Sequence, residues 1–272
     1  MVEPGRADIE RLRDVLRDME RVVVAFSGGA DSAFVAWVAH DTLGSDRALA
    51  LTAVSPSLAP EERDDCEVLA RDWGLRWLPV ETNELEDAMY VANDGDRCFH
   101  CKTALMDVAA PVAELERATV VLGVNVDDLG DHRPGQRAAG ERGARFPLVD
   151  AGFRKADVRA WSRRLGLRTW DKPAAACLAS RIPYGTAVSV ELLGSVARAE
   201  SGLRRLGFRQ LRVRHYGDTA RVELDEPELV AAVERRSEVV AAVKAAGYRY
   251  VTLDLEGFRS GNLNSSLSME SR

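Results

Sequence analysis

The sequence predicts an α/β protein: a doubly wound parallel sheet joined to a smaller C-terminal α+β domain. Three observations predict it. Short β-branched apolar runs alternate with amphipathic helical stretches from Ile9 to Leu165, and regular β–α alternation puts helices on both faces of a parallel sheet. A glycine turn, Ser27-Gly28-Gly29, follows the first run directly. Beyond about Asp171 the order changes to helix, hairpin, helix and strand.

Taken in order, Ile9–Glu20 reads as an amphipathic helix and Arg21–Phe26 as the first strand. Val22–Phe26 is apolar throughout, as an interior parallel strand requires. Asp31–Leu43 is its helix, Arg47–Val54 the second strand, and Ser55-Pro56-Ser57 a turn. Glu61–Trp73 is a helix that Gly74 closes from the C′ position, before the third strand at Leu75–Val80. Leu85–Asn93 and Lys102–Glu116 read as helices split by a cysteine-bearing link, and Thr119–Val124 is the fourth strand. Ligands of such sheets sit beyond the carboxyl ends of the strands. Ser27–Ser32, Ser55 and Asp127–Asp128 all fall at that edge.

The glycine-rich stretch Leu129–Phe153 reads as a long loop, and a loop of that length is usually functional. Arg154–Leu165 is a helix, Arg168–Thr186 irregular, and Val188–Leu206 a helix. Gln210–His215 and Thr219–Leu224 flank Tyr216-Gly217-Asp218 as a hairpin; Glu226–Ala246 is one long helix and Tyr248–Leu255 a last strand. The expected organisation is a nucleotide-binding domain over 1–170, an α+β domain over 171–258 and a loose tail over 259–272.

A chain of 272 residues, 46% of them apolar, has material for a sizeable core. Its net charge of −6 argues against a nucleic-acid surface. No apolar run reaches the length of a membrane span, and Met1–Glu20 lacks the apolar centre of a signal peptide. The expectation is a cytoplasmic protein with neither a membrane nor a nucleic-acid partner. Four cysteines in such a chain suggest metal or sulfur chemistry rather than a disulfide framework.

The turn after the first strand carries the chemistry. Gly28 and Gly29 remove two Cβ atoms where a ligand approaches the backbone, and Asp31 and Ser32 open the next helix. The free N–H groups and dipole of that helix start suit a pyrophosphate. No lysine precedes Ser32, so the loop is not a Walker A motif, nor does it have the spaced glycines of a dinucleotide fingerprint. Ser27-Gly28-Gly29-Ala30-Asp31-Ser32 instead resembles the S-G-G-x-D-S loop of the N-type ATP pyrophosphatases. Those enzymes split ATP between the α and β phosphates and adenylate a carbonyl oxygen. Ser27 and Ser32 offer hydroxyls to pyrophosphate, or cap the helix. Asp31 holds Mg²⁺ against the phosphates, or is simply a helix-start acid. Asp127 and Asp128 meet Mg²⁺ or ribose, or are turn residues.

Cys98 and Cys101 form a C-x-x-C within Arg97–Lys102, which suits zinc, a redox dithiol or a cluster. Cys177 has Lys172, Ser180 and Arg181 nearby in sequence, and cationic neighbours favour thiolate. Cys66, inside an amphipathic helix, reads as core filling. Arg212 and Arg214 share one strand face and, with Arg181, have the planar forks that grip phosphate or carboxylate. His100 and His215 read as structural.

Together the loop, R-C-F-H-C-K, G-V-N-V-D-D-L-G-D-H-R-P-G, A-C-L-A-S-R-I-P-Y-G, R-V-R-H-Y-G-D-T-A-R-V-E-L and D-L-E-G-F-R-S-G resemble the LarE family over roughly Ile9 to Asn262. The resemblance implies an ATP-dependent sulfur transferase that makes the nickel-pincer cofactor of lactate racemase. Its substrate would be pyridinium-3,5-biscarboxylic acid mononucleotide, a carboxylate of which is adenylated and converted to a thiocarboxylate. Sulfur comes either from one sacrificed cysteine, matching Cys177, or from a [4Fe-4S] cluster on three cysteines. Cys98, Cys101 and Cys177 together resemble the cluster branch, with sulfide or another donor recharging it. The resemblance also puts Ser180, Arg181, Arg212, Arg214, Glu200 and Glu223 at the substrate, with Glu200 and Glu223 as candidate metal or acid–base carboxylates, and implies a homo-oligomer, with a hexamer as the candidate. Three rivals share part of this pattern. A tRNA thiolase calls for a basic surface, an ammonia-dependent synthetase has no use for the cysteines, and a nucleotide sensor needs no intact Asp31.

Overall fold

The computed structural model describes residues 7–130, 134–173 and 176–259. Most of the expected tail, Asp131-His132-Arg133 of the glycine-rich motif, and Ala174-Ala175 before Cys177 lie outside the described residues. The chain divides into two compact units. One comprises Met1–Glu84 and Cys98–Ala175, the other Leu85–Arg97 and Ala176–Arg272.

The first unit is a parallel sheet of β1 (Val22–Ala25), β2 (Ala48–Val54), β3 (Arg76–Glu81) and β4 (Thr119–Leu122), in the order β3-β2-β1-β4. Helices α1 (Ile9–Asp18), α2 (Ala30–Leu43) and α3 (Pro60–Trp73) supply its two cores together with α5 (Arg97–Glu116), α6 (Pro134–Glu141), α7 (Pro147–Asp150) and α8 (Lys155–Arg164), while α4 (Ala88–Ala92) belongs to the second unit. Alternate residues of β1 serve opposite faces. Val22 and Val24 join Leu12, Leu16, Phe34, Val38 and Val158 in one core. Val23 joins Leu49, Leu105, Met106 and Val120 in the other. That two-sided burial explains why β1 reads as a continuous apolar run. At one edge, β3 carries Pro79, which has no N–H to offer a further strand. Gly74 ends α3 at φ 65°, the left-handed position expected from sequence.

Neighbours of β1 diverge in chain order, β2 on one side and β4 on the other. The crevice beyond their carboxyl ends is the topological switch point, where α/β sheets bind ligands. The turn after β1 and the segment after β4 both emerge there.

In the second unit, β5 (Leu211–Tyr216) pairs antiparallel with β6 (Thr219–Leu224), and β6 pairs parallel with β7 (Tyr250–Leu253). The hairpin is a two-residue loop with Gly217 first, at φ 59°. Leu211, Val213, Ala220, Val222 and Leu224 pack with Ala199 and Leu203 of α9 (Val190–Arg205) and with Val239 and Val243, which follow in the β6–β7 crossover. Residues 85–97 belong to this unit because Asn93 and Val91 bond to its 182–188 segment.

Three sequence expectations change. The cysteine link is not a break: α5 begins at Arg97, so Cys98 and Cys101 lie in its first turns. Nothing in R-C-F-H-C-K opposes a helix, and the Arg97 N–H donates to Asp94 O at 3.0 Å. The stretch expected as a long loop holds α6 and α7, each begun by a proline, whose fixed φ suits a first helical position. Ala138, Ala139 and Leu148 bury their inner faces. The long helix expected at Glu226–Ala246 breaks into a 3₁₀ turn (Glu226–Glu228), α10 (Leu229–Glu234) and α11 (Arg236–Ala245). Arg235 leaves helical geometry there at ψ 23°, and its guanidinium donates to Leu206 O at 2.7 Å.

Candidate functional site

The loop after β1 is shaped by close approach. Gly28 lies at φ 67°, and a Cβ there would stand 3.0 Å from Cys66 Sγ. Gly29 occupies the N-cap of α2, and no side chain caps that helix start. Its first N–H groups are therefore available to an anion. Ser32 Oγ accepts from the Ser27 N–H at 3.2 Å and donates to Gly29 O at 3.2 Å, holding the turn closed. Ser27 is exposed at the rim, its hydroxyl 3.1 Å from that of Ser32.

From the other side of the switch point comes the segment after β4. A Cβ on Gly123 would fall 2.7 Å from the Ser32 nitrogen, so only glycine lets the two backbones meet there. Asn125 follows, nearly buried, with its side-chain amide 3.5 Å from Asp31 Oδ1. The other Asp31 oxygen accepts from Lys155 Nζ at 2.5 Å. Asp127 accepts from Arg154 Nη1 at 2.8 Å and from the Lys155 N–H at 2.9 Å, so it binds the start of α8. Asp128 accepts from the Asn125 N–H at 3.1 Å. Ser55, at the end of β2, donates to Glu84 Oε1 at 2.5 Å.

Lys172 belongs to the same neighbourhood. Its Nζ lies 3.6 Å from the position of a Gly28 Cβ and donates to Glu62 at 2.8 Å and Asp65 at 2.6 Å. Burial works to lower its pKa, but the two carboxylates outweigh it and the net shift is upward. Cys66, wholly buried beside Gly28, has its thiol pushed up to about 11, chiefly by burial. It fills the core, as its helical position suggested.

Asn125, Gly123 and Lys155 were not among the residues singled out from sequence, and Lys172, expected as a cationic neighbour of Cys177, is instead paired with Glu62 and Asp65. Gly123 and Asn125 were signalled by G-V-N-V-D-D directly after an apolar strand. Nothing local marks Lys155, which reaches Asp31 across 124 positions of chain.

The second unit gathers another group. Arg181 is 3% exposed and pairs with the wholly buried Glu200 at 2.8 Å. Glu200 also accepts from Arg204 at 3.0 Å and from the Val213 N–H at 3.1 Å. Burial works to raise its pKa, but Arg181, Arg204 and that N–H outweigh it, leaving the carboxyl below its usual range. On the neighbouring strands Arg214 pairs with buried Glu223 at 3.0 Å, and Arg221 joins at 2.9 Å. Arg212 stacks over the Phe258 ring at 5.0 Å. Burial and the charges of Arg181, Arg214 and Arg204 push its pKa down to about 10. A site that disfavours its own cation in this way favours an incoming anion. Cys177, half-buried, precedes the 3₁₀ turn Leu178–Arg181, and its carbonyl accepts from the Ser180 N–H at 2.9 Å and from Arg181 Nη1 at 3.0 Å. The Ser180 carbonyl accepts from Arg214 Nη1 at 2.7 Å. His215 Nδ1 is 3.4 Å from the Tyr248 hydroxyl.

Comparison with known proteins places this geometry. The model for the NAD synthase family matches residues 9–108. An NH₃-dependent NAD⁺ synthetase of Methanosarcina mazei is 36% identical over 90 residues, 30% of this chain and 35% of that one. A pyridinium-3,5-bisthiocarboxylic acid mononucleotide synthase of Lactiplantibacillus plantarum is 40% identical over 257 residues, 93% of this chain and 92% of the relative. The chain belongs to the LarE family. An uncharacterised Synechocystis protein is 47% identical over 263 residues, 96% of this chain and 98% of its own.

As a LarE-family member the protein is an ATP-dependent enzyme of the pyrophosphate-loop class and a sulfur transferase of cofactor biosynthesis. ATP and Mg²⁺ follow from that class, and the uncapped start of α2 beside Asp31 fits them. Cys98 is exposed and Cys101 half-buried, one helical turn apart, and neither they nor Cys177 are in a disulfide among the described residues. Such donors fit an iron–sulfur group in kind. Among the described residues no three His, Cys, Asp or Glu side chains are gathered for a metal. No helix among the described residues is long and apolar enough to cross a membrane.

Proposed function

We propose that this chain adenylates a carboxylate of pyridinium-3,5-biscarboxylic acid mononucleotide and replaces one of its oxygens with sulfur, toward the nickel-pincer cofactor of lactate racemase. The reading is carried by what one chain holds: in its first unit an uncapped, glycine-lined helix start beside Asp31, and in its second an arginine-rich group adjoining Cys177.

ATP phosphates lie against the N–H groups of Gly29, Ala30 and Asp31, with Ser27 at the rim and Asp31 toward Mg²⁺. A substrate carboxylate oxygen attacks the α-phosphorus. The bond from that phosphorus to the bridging oxygen breaks, and pyrophosphate leaves with the electron pair. Lys155, already on Asp31, is placed to balance the charge of the departing group. A sulfur nucleophile then attacks the acyl carbon, and AMP leaves as the carbon–oxygen bond breaks. Arg212 and Arg214, with Ser180 and Arg181 beside them, hold the substrate's phosphate and carboxylates. Glu200 and Glu223 hold those guanidinium groups in place.

A [4Fe-4S] cluster on Cys98, Cys101 and Cys177 would supply the sulfur as a terminal sulfide. The second source is Cys177 itself, where loss of the Cα proton and cleavage of Cβ–Sγ would leave dehydroalanine. The protein is cytoplasmic and a homo-oligomer in this reading.

The test is product analysis with anaerobically reconstituted protein. ATP and the biscarboxylic mononucleotide should yield AMP and pyrophosphate, and the protein should show visible absorption with iron and sulfide. ADP and phosphate as products would overturn the loop assignment. A colourless protein that loses about 34 Da per turnover, the mass of H₂S, would move the sulfur source to Cys177 alone.

A further inference from the structure

Immediately before the dithiol helix lies a buried polar hub that the proposed chemistry does not yet use. Asn93 is wholly buried and sits in the left-handed region at φ 59°. Its side-chain amide donates to three carbonyls of one strap: Pro183 at 2.8 Å, Thr186 at 2.9 Å and Ile182 at 3.3 Å. Its backbone carbonyl accepts from the Gly185 N–H at 3.2 Å, and the Val188 N–H donates to Val91 O at 2.9 Å. Its side-chain oxygen accepts from Arg97 Nη1. The same Arg97 nitrogen donates to Ala179 O at 3.0 Å, and the guanidinium lies 5.8 Å from the Tyr184 ring centroid. Arg97 is 5% exposed.

The placement in sequence gives this hub its meaning. Arg97 is the residue before Cys98, and Ala179 is two residues after Cys177. One guanidinium therefore ties the backbone beside the first dithiol cysteine to the backbone beside Cys177. Within the first unit, α6 approaches the Cys98 backbone closely. A Cβ on Gly135 of α6 would stand 2.8 Å from Cys98 O, and Arg137 lies 5.3 Å over the Phe99 ring. Buried, fully engaged networks of this kind fix one geometry, and leaving a member unpaired is costly.

We infer that Asn93 and Arg97 are positioning residues for sulfur transfer, acting through the thiol segments they tie rather than by touching substrate. The inference rests on the reading that Cys177 and the dithiol serve one sulfur-transfer reaction. The bonds named for Asn93 and Arg97 all fall within the second unit, whereas the phosphate loop belongs to the first, so adenylation should not depend on the hub. A general fold support would affect both half-reactions together.

The experiment compares Arg97→Gln and Asn93→Asp with the wild-type enzyme. Asn93→Asp keeps the oxygen that Arg97 needs but loses the amide donor to all three carbonyls. Pyrophosphate release with substrate, iron and sulfide per chain after anaerobic reconstitution, thiocarboxylate product, and hydrogen exchange over 179–188 are read on each. Expected are pyrophosphate release within twofold of wild type, faster exchange in the strap, and at least a tenfold loss of iron occupancy and product. Normal iron and product in either folded variant would overturn the proposal, as would a parallel loss of adenylation. If Arg97→Gln does not fold, Asn93→Asp decides; if neither folds, the hub is a fold element and the proposal fails. A wild-type enzyme without iron whose Cys177 becomes dehydroalanine refutes the cluster reading alone. The variants then still test positioning, through a tenfold slower loss of mass at Cys177.

Discussion

In the first unit, the groups that face the expected phosphates belong mostly to the backbone: the uncapped N–H groups of α2, shaped by Gly28 and by the close approach of Gly123. In the second unit, the groups around the expected substrate are long side chains: Arg181, Arg212 and Arg214 set against Glu200 and Glu223. A backbone cradle is dictated by a few neighbouring residues and pays no side-chain entropy. An arginine–glutamate cluster needs partners brought from distant parts of the chain and must offset their desolvation. The first kind of site activates a nucleotide that many enzymes share. The second kind, in the proposed reading, selects a particular polyanion.

If the two regions divide the chemistry in this way, damage to one should spare the other's half-reaction. The largest effect is expected from Cys177→Ala. Thiocarboxylate formation should vanish while pyrophosphate release persists, and a product assay alongside a pyrophosphate assay reads both. Coupled loss of the two would break the comparison. Next is Asp31→Asn, which should slow pyrophosphate release about a hundredfold, the scale of removing one preorganised charge from a reaction centre. Its thermal midpoint should change little, because Lys155 and Asp31 are 35% and 20% exposed and such pairs are weak.

Glu200→Gln sharpens the other side. Removing this buried carboxylate leaves Arg181 without its counter-charge and should cost about 3–5 kcal/mol at neutral pH, read from urea unfolding. The folded-state pKa of Glu200 lies below its ordinary 4.5. Its contribution is therefore full above that value and is lost as pH falls through the folded pKa. The gap between wild type and variant should close in acid. A gap independent of pH would show that shape, not charge, is what Glu200 provides.

Gly123→Ala should cost about 1–3 kcal/mol, the range for an overpacked contact, and weaken ATP binding by displacing the start of α2. Calorimetric titration with ATP and a denaturation curve separate the two effects. Cys66→Ala should be the mildest, about 1 kcal/mol of stability from lost burial, with unchanged rates for both half-reactions.

The same contrast decides what the sequence could reveal. The loop at Ser27–Ser32 and the strand before it were legible because fold and chemistry both lie within a dozen neighbouring residues. Cys98 and Cys101 were legible as a pair, but the helix that carries them was not. The cysteines were read as a break, whereas α5 simply begins four residues after Asn93. The proline-started α6 and α7 were hidden by the glycines around them, and the kink at Arg235 by an unbroken helical pattern on both sides. Arg212 and Arg214 were expected on one strand face, and they lie there. The pairing of Arg214 with Glu223, and of Glu200 with the Val213 N–H, depends on hairpin register and on α9, which no local pattern encodes.

Residues 85–97 leave the ribosome before the second half of the first unit, yet their partners lie beyond residue 176. During synthesis Asn93 and Arg97 must therefore wait, unsatisfied and hydrated, while roughly eighty further residues are added and β4 takes its place beside β1. Neither unit can be excised as one continuous stretch of polypeptide. A nascent chain released after Ala175 would carry the loop after β1 and the segment after β4 together with one half of the hub.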